Sequence, residues 1–141
     1  MTNFSTDFSV YVTIINKVTN ELRLISQENN SGTYNPTILP ISILSQNQIF
    51  FSLQGSIIRG SQGSVTYEVV GKEQQHITFG FKCPLFSDNT LSIPLNQTDF
   101  NVSYYGTNQP IQWSPNRANW GPANNFSHRG HPLYALLVID E

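Results

Sequence analysis

Apolar residues in this chain recur at every second position, and this period of two is what most limits the folds open to it. Val10, Val12 and Ile14 alternate with Tyr11, Thr13 and Ile15. After Val18-Thr-Asn20 a second run places Leu22 and Leu24 on one face, and the two runs read as a hairpin. Gln48 to Leu53 alternates again, with Ile49, Phe51 and Leu53 on one side. Val65, Tyr67 and Val69 form a strand that turns at Gly71-Lys-Glu-Gln-Gln75 into Ile77, Phe79 and Phe81, the clearest hairpin in the sequence. Phe100, Val102 and Tyr104 alternate once more, and Leu133, Ala135, Leu137 and Ile139 close the chain. Ile38 to Leu44 is apolar but interrupted by Pro40. Proline removes a ladder hydrogen bond, so this stretch reads as an edge strand or a loop lying on the core. Leu91 to Leu95 is short and interrupted by Pro94. No capped run of helical period exceeds two turns. About seven or eight short strands with turn signals between them predict an all-β fold, a single-domain antiparallel β-sandwich over residues 1–141. Its core should include Val12, Ile14, Tyr67, Val69, Phe79, Phe81, Val102, Leu137 and Ile139.

A chain of 141 residues suits one domain. Its polarity is neutral: 15 Asn, 15 Ser, 11 Thr and 10 Gln stand against 7 Lys and Arg and 9 Asp and Glu. Disorder would need low hydrophobicity with high charge, and apolar residues here make up 38%. A net charge of −2 argues against a nucleic-acid partner, which needs a basic stripe to neutralise phosphates. The same balance argues against purely electrostatic adhesion to anionic lipid. Cys83 is the one cysteine, which excludes an internal disulfide and Cys-based structural zinc. No signal peptide is visible at the N-terminus. The longest apolar run, Tyr134 to Ile139, is far short of the roughly 20 residues that span a bilayer as a helix.

Enzymatic signatures are weak. Gly55-Ser-Ile-Ile-Arg-Gly60-Ser61 has the glycine spacing of a phosphate loop but lacks its lysine, so the glycines read as turn residues. There is no Gly-x-Ser-x-Gly elbow. Glu28, Glu68, Glu73 and Asp88 look like turn or outward strand positions rather than a catalytic carboxylate pair. His128 and His131 are three apart on a loop, a spacing that fixes no metal geometry. No catalytic residue, metal or cofactor is expected, and Cys83 should be structural or idle.

One segment breaks the rhythm. Gly106 to Pro132 has no strand pattern and holds Pro110, Pro115, Pro122 and Pro132 together with both tryptophans. A loop this long usually marks function or a wrong assignment of its elements. A Trp ring can stack on a sugar face or lie at lipid-headgroup level while its N–H still donates. The candidate ligand-binding set is Trp113, Asn116, Arg117, Asn119, Trp120, Asn124, Asn125, His128 and Arg129. The alternative is that the Trp rings cap one end of the sandwich.

Three blocks of sequence carry a likeness. Gly60-Ser-Gln-Gly63 leads into the strand Ser64 to Val70. Then comes Ile77-Thr-Phe-Gly-Phe-Lys-Cys83-Pro84-Leu-Phe-Ser-Asp-Asn89-Thr-Leu-Ser-Ile93. The opening reads Val10-Tyr-Val-Thr-Ile-Ile-Asn16-Lys-Val-Thr-Asn-Glu-Leu22. Together these resemble the aegerolysins, small β-sandwich proteins of fungi and bacteria, over about residues 8 to 105. The resemblance implies recognition of membrane lipid, often in sphingolipid-containing membranes, without catalysis. It also implies a cytolysin, or the small component of a pore-forming and in some cases insecticidal toxin acting with a larger partner protein. Fungal members carry Trp where Leu85 and Leu91 stand here. The turn holding Pro84, Leu85, Phe86 and Asn89 is a second candidate site. Such a protein would be made in the cytoplasm and, once released or crystal-deposited, act on external membranes. The alternative expectation is a carbohydrate-binding lectin of β-sandwich type, whose partner would be a glycan.

Overall fold

The computed structural model describes residues 7–56, 58–85, 87–108 and 131–141. The alternating runs become strands β1 (Val10–Asn16), β2 (Leu22–Ser31), β5 (Asn47–Gln54), β6 (Ser61–Val69), β7 (Lys72–Cys83), β9 (Asn101–Thr107) and β10 (Leu133–Asp140). The proline-broken runs give β4 (Ser42–Ile43) and β8 (Thr90–Asn96), and the short β3 (Thr33–Asn35) follows β2. No helix occurs among the described residues. Two five-stranded sheets face each other. The first runs β3-β5-β1-β10-β9 and the second β4-β2-β6-β7-β8. Both proline-bearing stretches lie at sheet edges, where a missing backbone donor faces no partner strand.

The inward faces meet in one core. It includes Val12, Ile14, Tyr67, Val69, Phe79, Phe81, Leu137 and Ile139, all buried, with Val102 partly buried against them. The β6/β7 hairpin pairs as its alternation predicts, with Val65 opposite Phe79 and Tyr67 opposite Ile77. Apolar side chains at every second position point to one side of the pleat, so a single dry face follows directly from the pattern.

The expected hairpin between the first two runs is not formed. β1 and β2 lie in different sheets. β1 instead pairs antiparallel with β5 and parallel with β10. Asn16, fully buried, ties the connection down. Its amide donates to the carbonyls of Asn20 (2.9 Å) and Ile43 (3.0 Å), and its side-chain oxygen accepts from the Val18 N–H (3.0 Å). These bonds satisfy a buried polar side chain and steer the chain across the sandwich. The outer face is also buried at Ile15 of β1 and at Leu136 and Val138 of β10, which pack with Tyr105 in a second, smaller cluster. Burial on both faces is what a central, parallel-paired strand requires.

Cys83 is completely buried at the end of β7. Burial pushes its thiol up to about 12, so it stays protonated and unreactive at neutral pH.

Candidate functional site

One end of the sandwich gathers several connections among the described residues. Val10 lies beside Leu53 and Leu133 there, Tyr134 pairs with Thr107, and Ser61 pairs with Cys83. The end of β2, the Gly55–Gly60 turn and the residues after Cys83 therefore emerge together. Asn108 and His131, which flank residues 109–130, are at this end too, with the Asn108 amide donating to the Pro132 carbonyl (3.3 Å). His131 packs on Phe8 at a ring separation of 3.9 Å.

Trp113, Asn116, Arg117, Asn119, Trp120, Asn124, Asn125, His128 and Arg129 lie outside the described residues, as does Phe86. Of the second candidate turn, Pro84 and Leu85 are partly exposed, whereas Asn89 is only 1% exposed and faces inward. The structure brings this turn against the glycine turn. A Cβ on Gly60 would run into the carbonyl of Cys83 and crowd Pro84.

The glycines of 55–60 serve a turn, as their spacing suggests. Ser56 and Gly60 bridge, with the Gly60 N–H donating to the Ser56 carbonyl (2.8 Å) and the Arg59 N–H to Ser56 Oγ (3.2 Å). Gly60 has φ of 68°, a left-handed conformation that a side chain disfavours. Ser31 Oγ donates to the Gly60 carbonyl (3.0 Å) and so joins the turn to the end of β2. Between them lies a polar cleft of about 480 Å³, whose lining includes Asn29, Asn30, Thr33, Gln54, Ser56 and Arg59.

A second concavity, of about 540 Å³, lies on the outer face of the first sheet. Register places Tyr11 between Ser52 and Tyr134, and Thr13 beside Phe50. Tyr11 and Tyr134 stack at 4.9 Å with ring planes 18° apart. The Tyr11 hydroxyl donates to Asp7, and this bond holds its phenol up to about 12. Phe50 and Pro36 complete an aromatic groove.

The edge beside this groove is apolar. The large exposed hydrophobics among the described residues are Ile25, Ile38, Ile41, Leu44, Phe50 and Ile58. All but Ile25 fall between Asn29 and Ile58, a stretch without any Asp, Glu, Lys or Arg. That stretch builds β3, the crossover to β4, and β5. Leu39 and Ile43 anchor it in the core while Ile38 is 80% exposed and Phe50 71%. Sequence reasoning directed at the tryptophans missed this surface. The readable signal was the absence of charge over a run long enough to cross from one sheet to the other.

No family model and no curated protein matches the sequence. Solved structures do match the fold. The lipid-binding protein Nakanori aligns with a TM-score of 0.66 at 15% identity, covering 94% of this chain and 71% of its own. RahU, solved with a TRIS molecule, aligns at 0.59 and 12%, covering 94% and 96%. IP-1A from Alcaligenes faecalis aligns at 0.58 and 11%, covering 94% and 91%. Identities this low establish a shared fold, and that fold is consistent with the aegerolysin-like sandwich implied by the sequence resemblance.

Proposed function

We propose that this protein is a non-enzymatic, aegerolysin-type binder of membrane lipid that meets the bilayer through its charge-free edge. The observation that carries the reading is the set of exposed apolar side chains at Ile38, Ile41, Leu44, Phe50 and Ile58 in a stretch without charge. Exposed apolar surface concentrated in one region of a monomer marks an interaction site. Placing charged groups near the hydrocarbon is costly; residues 29–58 contribute none, and the charges set against β4 are Glu21, which accepts from Ser42 Oγ (2.8 Å), and Arg23, opposite Ser42. The Tyr11–Tyr134 pair beside it suits the headgroup level, where aromatic rings with a polar tip concentrate. The fold shared with a lipid-binding protein agrees with this reading. Action as a cytolysin, or as the small member of a pore-forming pair on sphingolipid-containing membranes, is the finer proposal. In it Trp113 and Trp120 would extend the contact from the end where their segment begins and finishes.

Co-sedimentation with vesicles of phosphatidylcholine, sphingomyelin and cholesterol, run beside a glycan array, tests the reading. The protein should pellet with the vesicles and leave the array blank. Seven basic residues in the whole chain cannot form a strong polybasic patch, so apolar partition must dominate. The bound fraction should therefore change less than about twofold between 20 mM and 150 mM salt. Binding to the array with none to vesicles would establish a lectin instead. Binding that vanishes at physiological salt would mean a charge-driven contact.

A further inference from the structure

The cleft at the end of β2 is bordered by a cation, Arg59. Among the described residues Lys17 pairs with Asp140 (3.5 Å), Arg23 pairs with Glu68 (3.4 Å) and Lys72 lies over the Phe100 ring (5.9 Å), while Lys82 on β7, like Arg59, forms no ion pair. Arg59 is exposed and forms no ion pair among the described residues. Among the described residues, no carboxylate lines the cleft it borders. The remaining polar groups there are neutral amides and hydroxyls.

The frame around Arg59 is already ordered. Its own N–H is held by Ser56 Oγ, the next N–H by the Ser56 carbonyl, and the turn is tied to β2 through Ser31. The Asn29 amide donates to the Gly32 carbonyl (2.9 Å), which fixes that side chain across the cleft. Because Ser56 Oγ accepts from Arg59, its own proton remains available to a ligand. A guanidinium carried on an ordered turn beside neutral donors, with no competing acid among the described residues, favours a tetrahedral oxyanion over a neutral sugar, since its fork matches phosphate geometry. Ile58, adjacent in sequence, is 83% exposed. A phosphate held at Arg59 would thus lie beside a side chain poised to enter hydrocarbon.

We propose that this cleft is a phosphodiester-binding site in which Arg59 contacts the phosphate, with Asn29, Gln54 and Ser56 donating to its oxygens. As a lipid-headgroup site it rests on the membrane-binding reading; as a phosphate site it stands without it. One contact of a single charge also agrees with weak salt dependence.

The test is an NMR titration of the native protein with glycerophosphocholine. Inorganic phosphate and sucrose serve as separate arms, and each is repeated on Arg59→Gln. The side-chain signals of Arg59, Asn29 and Gln54 should shift with both phosphate compounds and not with sucrose. Arg59→Gln should keep its melting temperature and weaken phosphate binding about tenfold or more, as expected for loss of a charge-assisted hydrogen bond. The same variant is then sedimented with phosphatidylcholine vesicles and with phosphate-free monoolein dispersions. Weaker binding to the first and unchanged binding to the second places the phosphate in the lipid headgroup. Titration shifts without any vesicle binding by the parent would retain the phosphate site and reject the membrane reading. No shift with either phosphate compound, shifts that survive in Arg59→Gln, or equal shifts with sucrose would overturn the site while leaving membrane binding standing on the edge alone.

Discussion

Phe79→Ala should lower the unfolding free energy by about 3–5 kcal/mol, the usual cost of removing a buried aromatic side chain and leaving a cavity. Phe79 is 1% exposed at the middle of β7, opposite Val65, and its ring meets that of Phe81 edge-on at 5.7 Å. Phe81 in turn approaches Phe51 and Tyr34 from the opposite sheet, at 6.1 and 6.4 Å. Truncation at 79 therefore removes direct contacts and loosens the aromatic chain that joins the two sheets. Against a typical total of about 5–15 kcal/mol, this is a large fraction. For a chain of this length the melting temperature should drop by about 10 °C or more. A loss below about 1 kcal/mol in urea melts would mean that the aromatic cluster is not the centre of the core.

Alkaline pH should destabilise the protein through the same interior. Burial raises the hydroxyls of Tyr34 and Tyr67 well above the ordinary tyrosine range, and raises the Cys83 thiol to about 12. Tyr34 donates to the Glu28 carbonyl (2.6 Å) and the Ser64 carbonyl (3.2 Å), bonds a phenolate cannot make. The ordinary values are near 9 for the thiol and 10 for the phenols. Below about pH 9 these groups hold their protons in both the folded and the unfolded chain, and stability does not depend on them. Above that pH the unfolded chain releases protons first, so stability falls, by up to about 1.4 kcal/mol per pH unit for each group. Melting temperatures should be level from pH 7 to about 9 and decline steeply by pH 11. A flat profile to pH 11 would show that these side chains are more open to water than the structure places them.

What was legible in the sequence follows from what periodicity encodes. Alternation tells which side of a strand is dry, so the core residues from Val12 to Ile139 could be named without knowing any strand's neighbour. It does not tell which strand lies alongside. The β1–β2 pairing was therefore misread, because a short polar link after an alternating run looks the same whether the chain folds back or crosses over. The deciding feature was Asn16, whose local bonds to the Asn20 and Val18 backbone are joined by one to the Ile43 carbonyl, a contact distant in sequence. The outer burial of Leu136 and Val138 was hidden for a similar reason: alternation assigned them the wet face of β10.

The candidate site was less legible. Attention went to aromatic side chains, which announce themselves singly. The edge from Asn29 to Ile58 announces itself by what it lacks, and its isoleucines look like core residues until topology shows that Ile38 and Ile41 lie outside. Arg59 was masked by its motif. A glycine turn without a lysine does not read as a nucleotide loop, although the turn also puts Arg59 at the border of a polar cleft.

The central claim is that the charge-free edge carries membrane binding. The most direct measurement is vesicle partition of the double variant Ile38→Ser, Phe50→Ser, read beside its melting curve. Both side chains are largely exposed, 80% and 71%, so stability should change by less than about 0.5 kcal/mol per site. Withdrawing two large apolar side chains from a bilayer should weaken partition into phosphatidylcholine–sphingomyelin–cholesterol vesicles by about 30-fold or more. A variant that melts with the parent and partitions as strongly as the parent would contradict the account.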